Sequence, residues 1–355
     1  MKTLYKHLIL KMKYSKLNTF AKDIYKFQNS RSMIKEKFDF LKQYENNLND
    51  IDLNLYSKLT QSDKQLFILW VLKHWCFLHN RLDRGGGGVT FPKEYDWILF
   101  KSNALFLEAE RLCNLRKSLN DPLKLFVNNK EILYIHPHCP LGIDSRTLSE
   151  SFYNVCLIVH TFFLKEYYLD GFNPNDGETI IDCGGAVGDT ALFFNAYYPN
   201  SDIHIFEFSD TEYTMLKKNI EINNKQNKLF AYKNGVSSMN QTLYFNGSNF
   251  TRDKTGNSSK VDFISLDYFV KKHNINNIGL IKMDIEGAEQ EALKGAKETI
   301  LRFKPKLMIP IYHLESDIFE IPNFLHSLGL KMEFRVKWTD IRFGYYDFIL
   351  LVKFL

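Results

Sequence analysis

Two rhythms of apolar and polar residues run along this chain, and the change falls near residue 178. Up to about residue 80, Leu, Ile, Phe and Tyr recur among lysines and asparagines without a proline, which predicts several helices rather than a sheet. The clearest begins at Gln61. Leu66, Leu69, Trp70, Lys73 and Phe77 form a mostly apolar stripe at helical spacing, and Ser62 with Gln65 three positions on has the form of a capping box. Another helical pattern spans about Ala104 to Leu119, ahead of the Asp121-Pro122 break. From Glu178 onward, short apolar runs alternate with amphipathic ones. ETIID, DIHIFEF, KLFAY, KVDFISL, GLIKMDI, KLMIPIY, KMEFRV and YYDFILLVKF read as strands. ALFFNAYY and SDTEYTMLKKNIEINN read as helices, the second opened by Ser209 with Glu212 and turning Tyr213, Leu216 and Ile220 toward a sheet. AEQEALKGAKETILRF reads as one amphipathic helix that Pro305 helps to end. The βαβ order predicts an α/β domain with an open, largely parallel sheet and helices on both faces.

The 355 residues are long for one domain. The texture divides them into a mainly helical region 1–125, a candidate substrate or partner module, then a connecting segment 126–177 and the α/β domain 178–355. With 45% hydrophobic and 25% charged residues the chain has the composition of a folded protein, not of a disordered or collagen-like one. Five scattered cysteines lack the density of a disulfide framework, and the basic start lacks an apolar core and cleavage pattern for export. FILWVL and VCLIVHTFFL are too short to cross a bilayer as helices. The expected setting is therefore cytoplasmic and reducing.

The net charge of +5 is too mild to imply a nucleic-acid partner, and no zinc-finger, recognition-helix or RNA-sheet signature accompanies it. Basic residues do concentrate in residues 1–50, eleven against five acidic. A solvated helical face explains that bias. An anionic membrane surface or polyanionic glycan is the functional alternative, and it would place the protein peripherally at the inner membrane surface. Arg84 to Gly88, RGGGG, reads as a joint, lacking the lysine and hydroxyl ending of a phosphate loop. His136 to Cys139, HPHC, has no second cluster at zinc spacing, so no metal site is expected.

The chemistry concentrates in two islands. In DCGGAVG, Asp182 to Gly188, the glycines permit a tight turn and close ligand approach at the start of the next helix. Asp182 can bind a polar group at the strand end. Glu207, 25 residues later at the end of the second predicted strand, can accept hydrogen bonds from ribose hydroxyls. Together they suit an adenosyl-type cofactor, although Ala186 stands where a dinucleotide fingerprint has its second glycine. The second island is IKMDIEGAE. A strand over Ile281 to Ile285 would put Lys282, Asp284 and Glu286 on one side, unless Glu286 already belongs to the exit loop. Asp284 can then hold a cofactor amino group or orient a substrate, Glu286 can bind a hydroxyl or ammonium, and Lys282 can neutralise acid or move a proton. An internal salt-bridge cluster is the structural alternative, set against the desolvation cost of charges in an apolar strand.

Residues 178–350 resemble the FkbM-type S-adenosylmethionine-dependent methyltransferases, through ETIIDCGGAVGDTALFF, HIFEFS, KNGVSS, ISLDYF, IKMDIEGAEQEALKGAKETI and KLMIPIYHLESDIFEIPNFL. The resemblance implies a seven-stranded class I methyltransferase fold, S-adenosyl-L-methionine as cofactor and methyl transfer to a hydroxyl of a carbohydrate, lipid or secondary metabolite. By the same resemblance Asp182, Gly184, Gly188 and Glu207 are cofactor-binding, and Asp267 lies in the LD segment before the next crossover. Lys282, Asp284, Glu286, Gly287 and Glu289 fill the family's K-x-D-x-E-G-x-E positions. Ala186 departs from the asparagine of many relatives, which removes one polar contact in the loop.

His313 follows the KLMIPIY strand, where a sheet's carboxyl rim faces its ligand, and Asp317 four residues on could orient it. Its readings are a general base, a substrate-binding group or a loop-stabilising hydrogen bond. An NAD-dependent oxidoreductase would use the same glycine turn and acid but leave IKMDIEGAE unexplained. A nonenzymatic carbohydrate-binding or scaffold protein is the other rival.

Overall fold

The computed structural model describes residues 19, 23, 41, 43–44, 46–78, 108–109, 111–112, 121–135, 158–223, 227–247, 250–254, 256–338 and 348–355. The RGGGG joint, the HPHC segment and most of the basic first 50 residues lie outside these. A seven-stranded sheet has the order β12-β13-β11-β10-β3-β4-β5. Its strands are β3 (Thr179–Cys183), β4 (Ile203–Phe206), β5 (Leu229–Tyr232), β10 (Ile278–Met283), β11 (Lys306–Pro310), β12 (Met332–Trp338) and β13 (Phe348–Phe354). The four pairings from β11 across β10, β3 and β4 to β5 are parallel. All six residues of β10 are buried, as expected of a parallel strand covered on both faces.

By compactness the chain forms one unit of residues 95–309 with Phe354, and another of residues 1–94 with 310–353 and Leu355. In the second unit, α1 (Leu48–Asn54) and α2 (Gln61–Leu78) pack on residues from the far end of the chain. Asn54 bonds Asn323 at 2.6 Å on α8 (Asp317–Ser327), and His326 Nε2 lies 2.9 Å from the Asn54 carbonyl. Arg335 on β12 pairs with the buried Asp63, and Trp70 stacks on Phe348 at 4.4 Å. The N-terminal helices thus complete the core of the C-terminal strands. Thr60, not Ser62, caps α2: its hydroxyl accepts the Asp63 N–H at 3.2 Å, and Ser62 is already inside the first turn. Among the described residues no helix is long and apolar enough to cross a membrane.

In the first unit, α3 (Asp189–Tyr197), α4 (Asp210–Asn223) and α5 (Leu266–Lys272) connect the strands. Three elements here differ from the sequence pattern. KVDFISL is not in the main sheet. As β9 (Ser259–Ile264) it joins β6 (Gly235–Val236), β7 (Gln241–Phe245) and β8 (Phe250–Thr251) in a separate four-stranded sheet, because antiparallel pairing with β7 captures it. The single helix of AEQEALKGAKETILRF is two, α6 (Glu289–Lys294) and α7 (Lys297–Phe303). Tertiary bonds make the break: the Gly295 carbonyl accepts the Asp267 N–H at 2.8 Å, and the Asp267 carboxylate accepts the N–H groups of Glu298 and Thr299. Asp267 is thereby the cap of α7. Finally, the connecting segment holds an unforeseen hairpin, β1 (Leu123–Val127) with β2 (Lys130–Tyr134), and a π-helical turn, Val159–Phe163.

Candidate active site

The strand order reverses at β3. From it the chain steps outward to β4 and β5 on one side, while β10 and β11 lie on the other. In such a sheet the ligand crevice opens outside the carboxyl ends of the two strands that flank the reversal. Here those ends are the glycine loop after β3 and Asp284 after β10. The two touch: Asp284 N–H donates to the Cys183 carbonyl at 3.0 Å. Gly184 has φ +79, and a Cβ there would overlap the Asp284 carbonyl oxygen. Gly188, at φ +94, opens α3, and a Cβ would come within 2.9 Å of Leu216 Cδ1.

Ala186 also sits in the left-handed region, at φ +41. Asparagine tolerates that conformation better than alanine, so the backbone here suits the asparagine that the family resemblance implied at this position. The Ala186 N–H donates to Glu207 Oε2 at 3.0 Å, and the Ser209 N–H donates to Oε1 at 2.7 Å. Burial pushes the Glu207 carboxyl up from 4.5 to about 7, against the pull of those two amides and of Lys282.

Asp182 and Lys282 form a buried ion pair, 3.0 Å apart and at most 2% exposed. Asp182 Oδ2 also accepts from Thr190 at 2.6 Å, and Lys282 Nζ donates to the Gly184 carbonyl at 2.6 Å. The pair therefore ties the end of β3 to the loop it releases. Burial opposes the Lys282 charge, but Asp182, then Asp284 and Asp189, outweigh it and hold the proton on well above the ordinary lysine range. A lysine so held is a fixed cation under the loop, not a group that gives and takes a proton near neutrality.

The strand containing Lys282 ends at Met283, earlier than the periodicity suggested. Glu286 and Gly287 follow with φ +55 and +95, a left-handed pair that turns the chain out, so Glu286 is exposed instead of sharing a strand face with Lys282. The turn is held by Glu289, fully buried, whose Oε1 accepts the Ile285 N–H at 2.9 Å. Tyr167, which no sequence pattern singled out, donates its hydroxyl to Asp284 Oδ2 at 2.6 Å and lies with its ring 5.3 Å from Lys282 Nζ. Thr161, in the π-helical turn, donates to the buried Asp189 at 2.8 Å. The segment just before β3 thus reaches both halves of the crevice.

Asp182, Gly184, Gly188, Glu207, Lys282 and Asp284 converge at this crevice, with Glu286 on its outer turn. His313 belongs to the other compact unit, three residues past β11, with its ring 4.2 Å from that of Tyr312. Asp317 there accepts the Leu314 N–H at 2.8 Å.

A glycine loop that admits no Cβ, beside a buried carboxylate at the end of the neighbouring strand, fits an adenosyl group: close backbone approach on one side, a diol acceptor on the other. Residues 182–332 match the family model for the methyltransferase FkbM domain. This segment is an FkbM methyltransferase domain. Its cofactor is S-adenosylmethionine, and its reaction is methyl transfer. The chain is similar to Methyltransferase 1 of Beauveria bassiana strain ARSEF 2860, 24% identical over 48% of this chain and 81% of that protein. It is also similar to Methyltransferase sdnD of Sordaria araneosa, 26% identical over 55% of this chain and 91% of that one. Among solved structures, a Methyltransferase FkbM from Methylobacillus flagellatus KT aligns at 15% identity with a TM-score of 0.41. That alignment covers 73% of this chain and 60% of that one.

If Glu207 accepts the ribose hydroxyls, cofactor affinity and unliganded stability should respond to pH in opposite directions. Its folded-state pKa is raised, so its contribution to stability is fully present below about 4.5 and is lost as pH rises through about 7. A Glu207 that binds the ribose hydroxyls would do so as the carboxylate, and affinity for S-adenosylmethionine should then fall up to about tenfold per pH unit below 7. Calorimetric titrations from acid to alkaline pH should show this, and Glu207→Gln should flatten it. Glu207→Ala should lose about 1.5–3 kcal/mol of binding with an unchanged circular-dichroism spectrum. A wild-type affinity that is flat across pH 7 would remove Glu207 from the ribose site.

Proposed function

We propose that this methyltransferase is an O-methyltransferase acting on a hydroxyl of a carbohydrate, glycan or related small molecule. The observation that carries the reading is the Asp284 carboxylate at the carboxyl end of β10, fixed by the Tyr167 hydroxyl at 2.6 Å beside the glycine loop. A carboxylate held there can orient an acceptor hydroxyl next to the cofactor. Glu286, exposed on the following turn, is available for a second hydroxyl.

Glu207 and the Gly184–Gly188 loop would hold the cofactor, which supplies an electrophilic methyl on a sulfonium; Asp182, fully buried on Lys282 and Thr190, supports the loop from beneath instead of touching the cofactor. The chain's own part is alignment. Lys282 and Asp182 fix the loop, Tyr167 and Glu289 fix the Asp284 turn, and burial of these groups keeps their hydrogen bonds from exchanging with water. A neutral sugar hydroxyl is a weak nucleophile, so the proposal includes a base. We assign that role to His313, on its position just beyond β11.

The reading is tested by a labelled-methyl screen against producer-cell extract, with mass spectrometry locating the transferred group. Label on nitrogen or carbon would reject the O-methyl assignment. His313→Gln should lower the single-turnover methyl-transfer rate roughly tenfold to ten-thousandfold while leaving cofactor affinity nearly unchanged. An unchanged chemical step across pH would reject the base. Weaker acceptor affinity with normal transfer at saturation would make His313 a substrate-binding residue.

A further inference from the structure

Asn219 lies on α4 and is 0% exposed. Its carboxamide makes three bonds of 2.8 Å. Oδ1 accepts the Ile135 N–H, and Nδ2 donates to the Ile135 carbonyl and to the carbonyl of Val187 inside the cofactor loop. A side-chain amide presents the donor and acceptor of a peptide group, so here it pairs with the end of β2 as a neighbouring strand would. One helical turn on, Asn223 repeats the arrangement: Oδ1 accepts the Leu133 N–H at 2.9 Å, and Nδ2 donates to the Leu133 carbonyl at 2.6 Å. The i, i+4 spacing puts both amides on one helix face, matching residues i and i+2 of the strand.

The two asparagines differ in one respect. Asn223 spends its remaining bond on the Asn219 carbonyl of its own helix, at 2.7 Å. Asn219 spends its own on the cofactor loop.

We propose that Asn219 is a positioning residue that sets the cofactor loop through the Val187 carbonyl and couples it to Ile135 at the end of the β1–β2 hairpin, so that cofactor binding and the Asn219–Ile135 pairing reinforce one another. Three features support this. Val187 is flanked by two residues in left-handed conformation, Ala186 and Gly188, so its carbonyl direction is not fixed by a regular hydrogen-bond ladder. The Ala186 N–H that meets Glu207 belongs to the same short turn, so a rotation at Val187 moves a donor of the cofactor cradle. The bond is fully enclosed, where loss of a partner leaves a buried carbonyl unsatisfied. The inference rests on the S-adenosylmethionine site described above.

The test compares Asn219→Leu with Asn223→Leu in the full chain. Both remove a clamp on the hairpin and should speed amide exchange at β2. Only Asn219→Leu should weaken S-adenosylmethionine and S-adenosylhomocysteine binding by calorimetry, by roughly tenfold or more, while Asn223→Leu stays within about twofold. Equal effects of the two, or wild-type affinity in a folded Asn219→Leu, would overturn the proposal. Coupling is reciprocal, so the wild-type protein supplies a check that needs no variant. Saturating S-adenosylhomocysteine should slow exchange of the Ile135 amide severalfold, and an unchanged Ile135 rate would overturn the coupling even if Asn219→Leu does not fold. Absence of cofactor binding in the wild-type protein would instead count against the cofactor reading itself.

Discussion

Lys282→Met should destabilise the folded protein by about 3–5 kcal/mol, the largest effect expected of any single change at the crevice. Methionine fills most of the lysine volume, so the loss comes from charge rather than from a cavity. Asp182 is 0% exposed, and its other partner is the neutral Thr190 hydroxyl. Without the ammonium at 3.0 Å its carboxylate must stay buried and uncompensated or take up a proton. The Gly184 carbonyl would lose its 2.6 Å donor in the same step. The double variant Lys282→Met with Asp182→Asn removes both charges and should recover most of the stability, because neutral replacement of a buried pair is far milder than breaking it. Denaturant unfolding of the four proteins gives the coupling energy directly. If the double variant is as unstable as the two single losses added together, the pair is not the source of the stability.

Gly184→Ala should abolish measurable cofactor binding and cost about 2–5 kcal/mol of stability. Roughly 1–2 kcal/mol of this is the left-handed φ of +79 that alanine resists, and about 1–3 kcal/mol is forced movement of the Asp284 carbonyl away from the new methyl. Gly171 separates the two contributions. It has a similar φ of +83, but a methyl added there would meet nothing within 4 Å, so Gly171→Ala should show the conformational cost alone and leave cofactor affinity intact. Matching losses in the two variants would mean that the contact between loop and β10 does not set the site.

The Ala186 position shows how far residue identity alone can mislead. As a side chain it is a missing polar contact. In the folded loop it is a left-handed residue whose N–H donates to Glu207. Tyr167 shows the converse. It carries one of the shortest bonds at the crevice, to a residue 117 positions away, and nothing in its neighbourhood along the chain announces a partner.

The βαβ alternation after residue 178, the glycine turn, the acid at the end of β4 and the charged end of β10 were set by local pattern and suited an adenosyl-type cofactor; S-adenosylmethionine and methyl transfer came from the resemblance of those segments to the FkbM-type family. Periodicity and turn chemistry are short-range properties, so they can be read from a few adjacent residues. Tertiary structure decided what depends on distant partners. It drew β9 into a second sheet, broke the α6–α7 run where Asp267 caps it, and paired the N-terminal helices with strands from the other end of the chain. It also turned Lys282 from a candidate proton carrier into a fixed cation, because the charge of Asp182 and the burial of both groups act together only once β3 and β10 lie side by side.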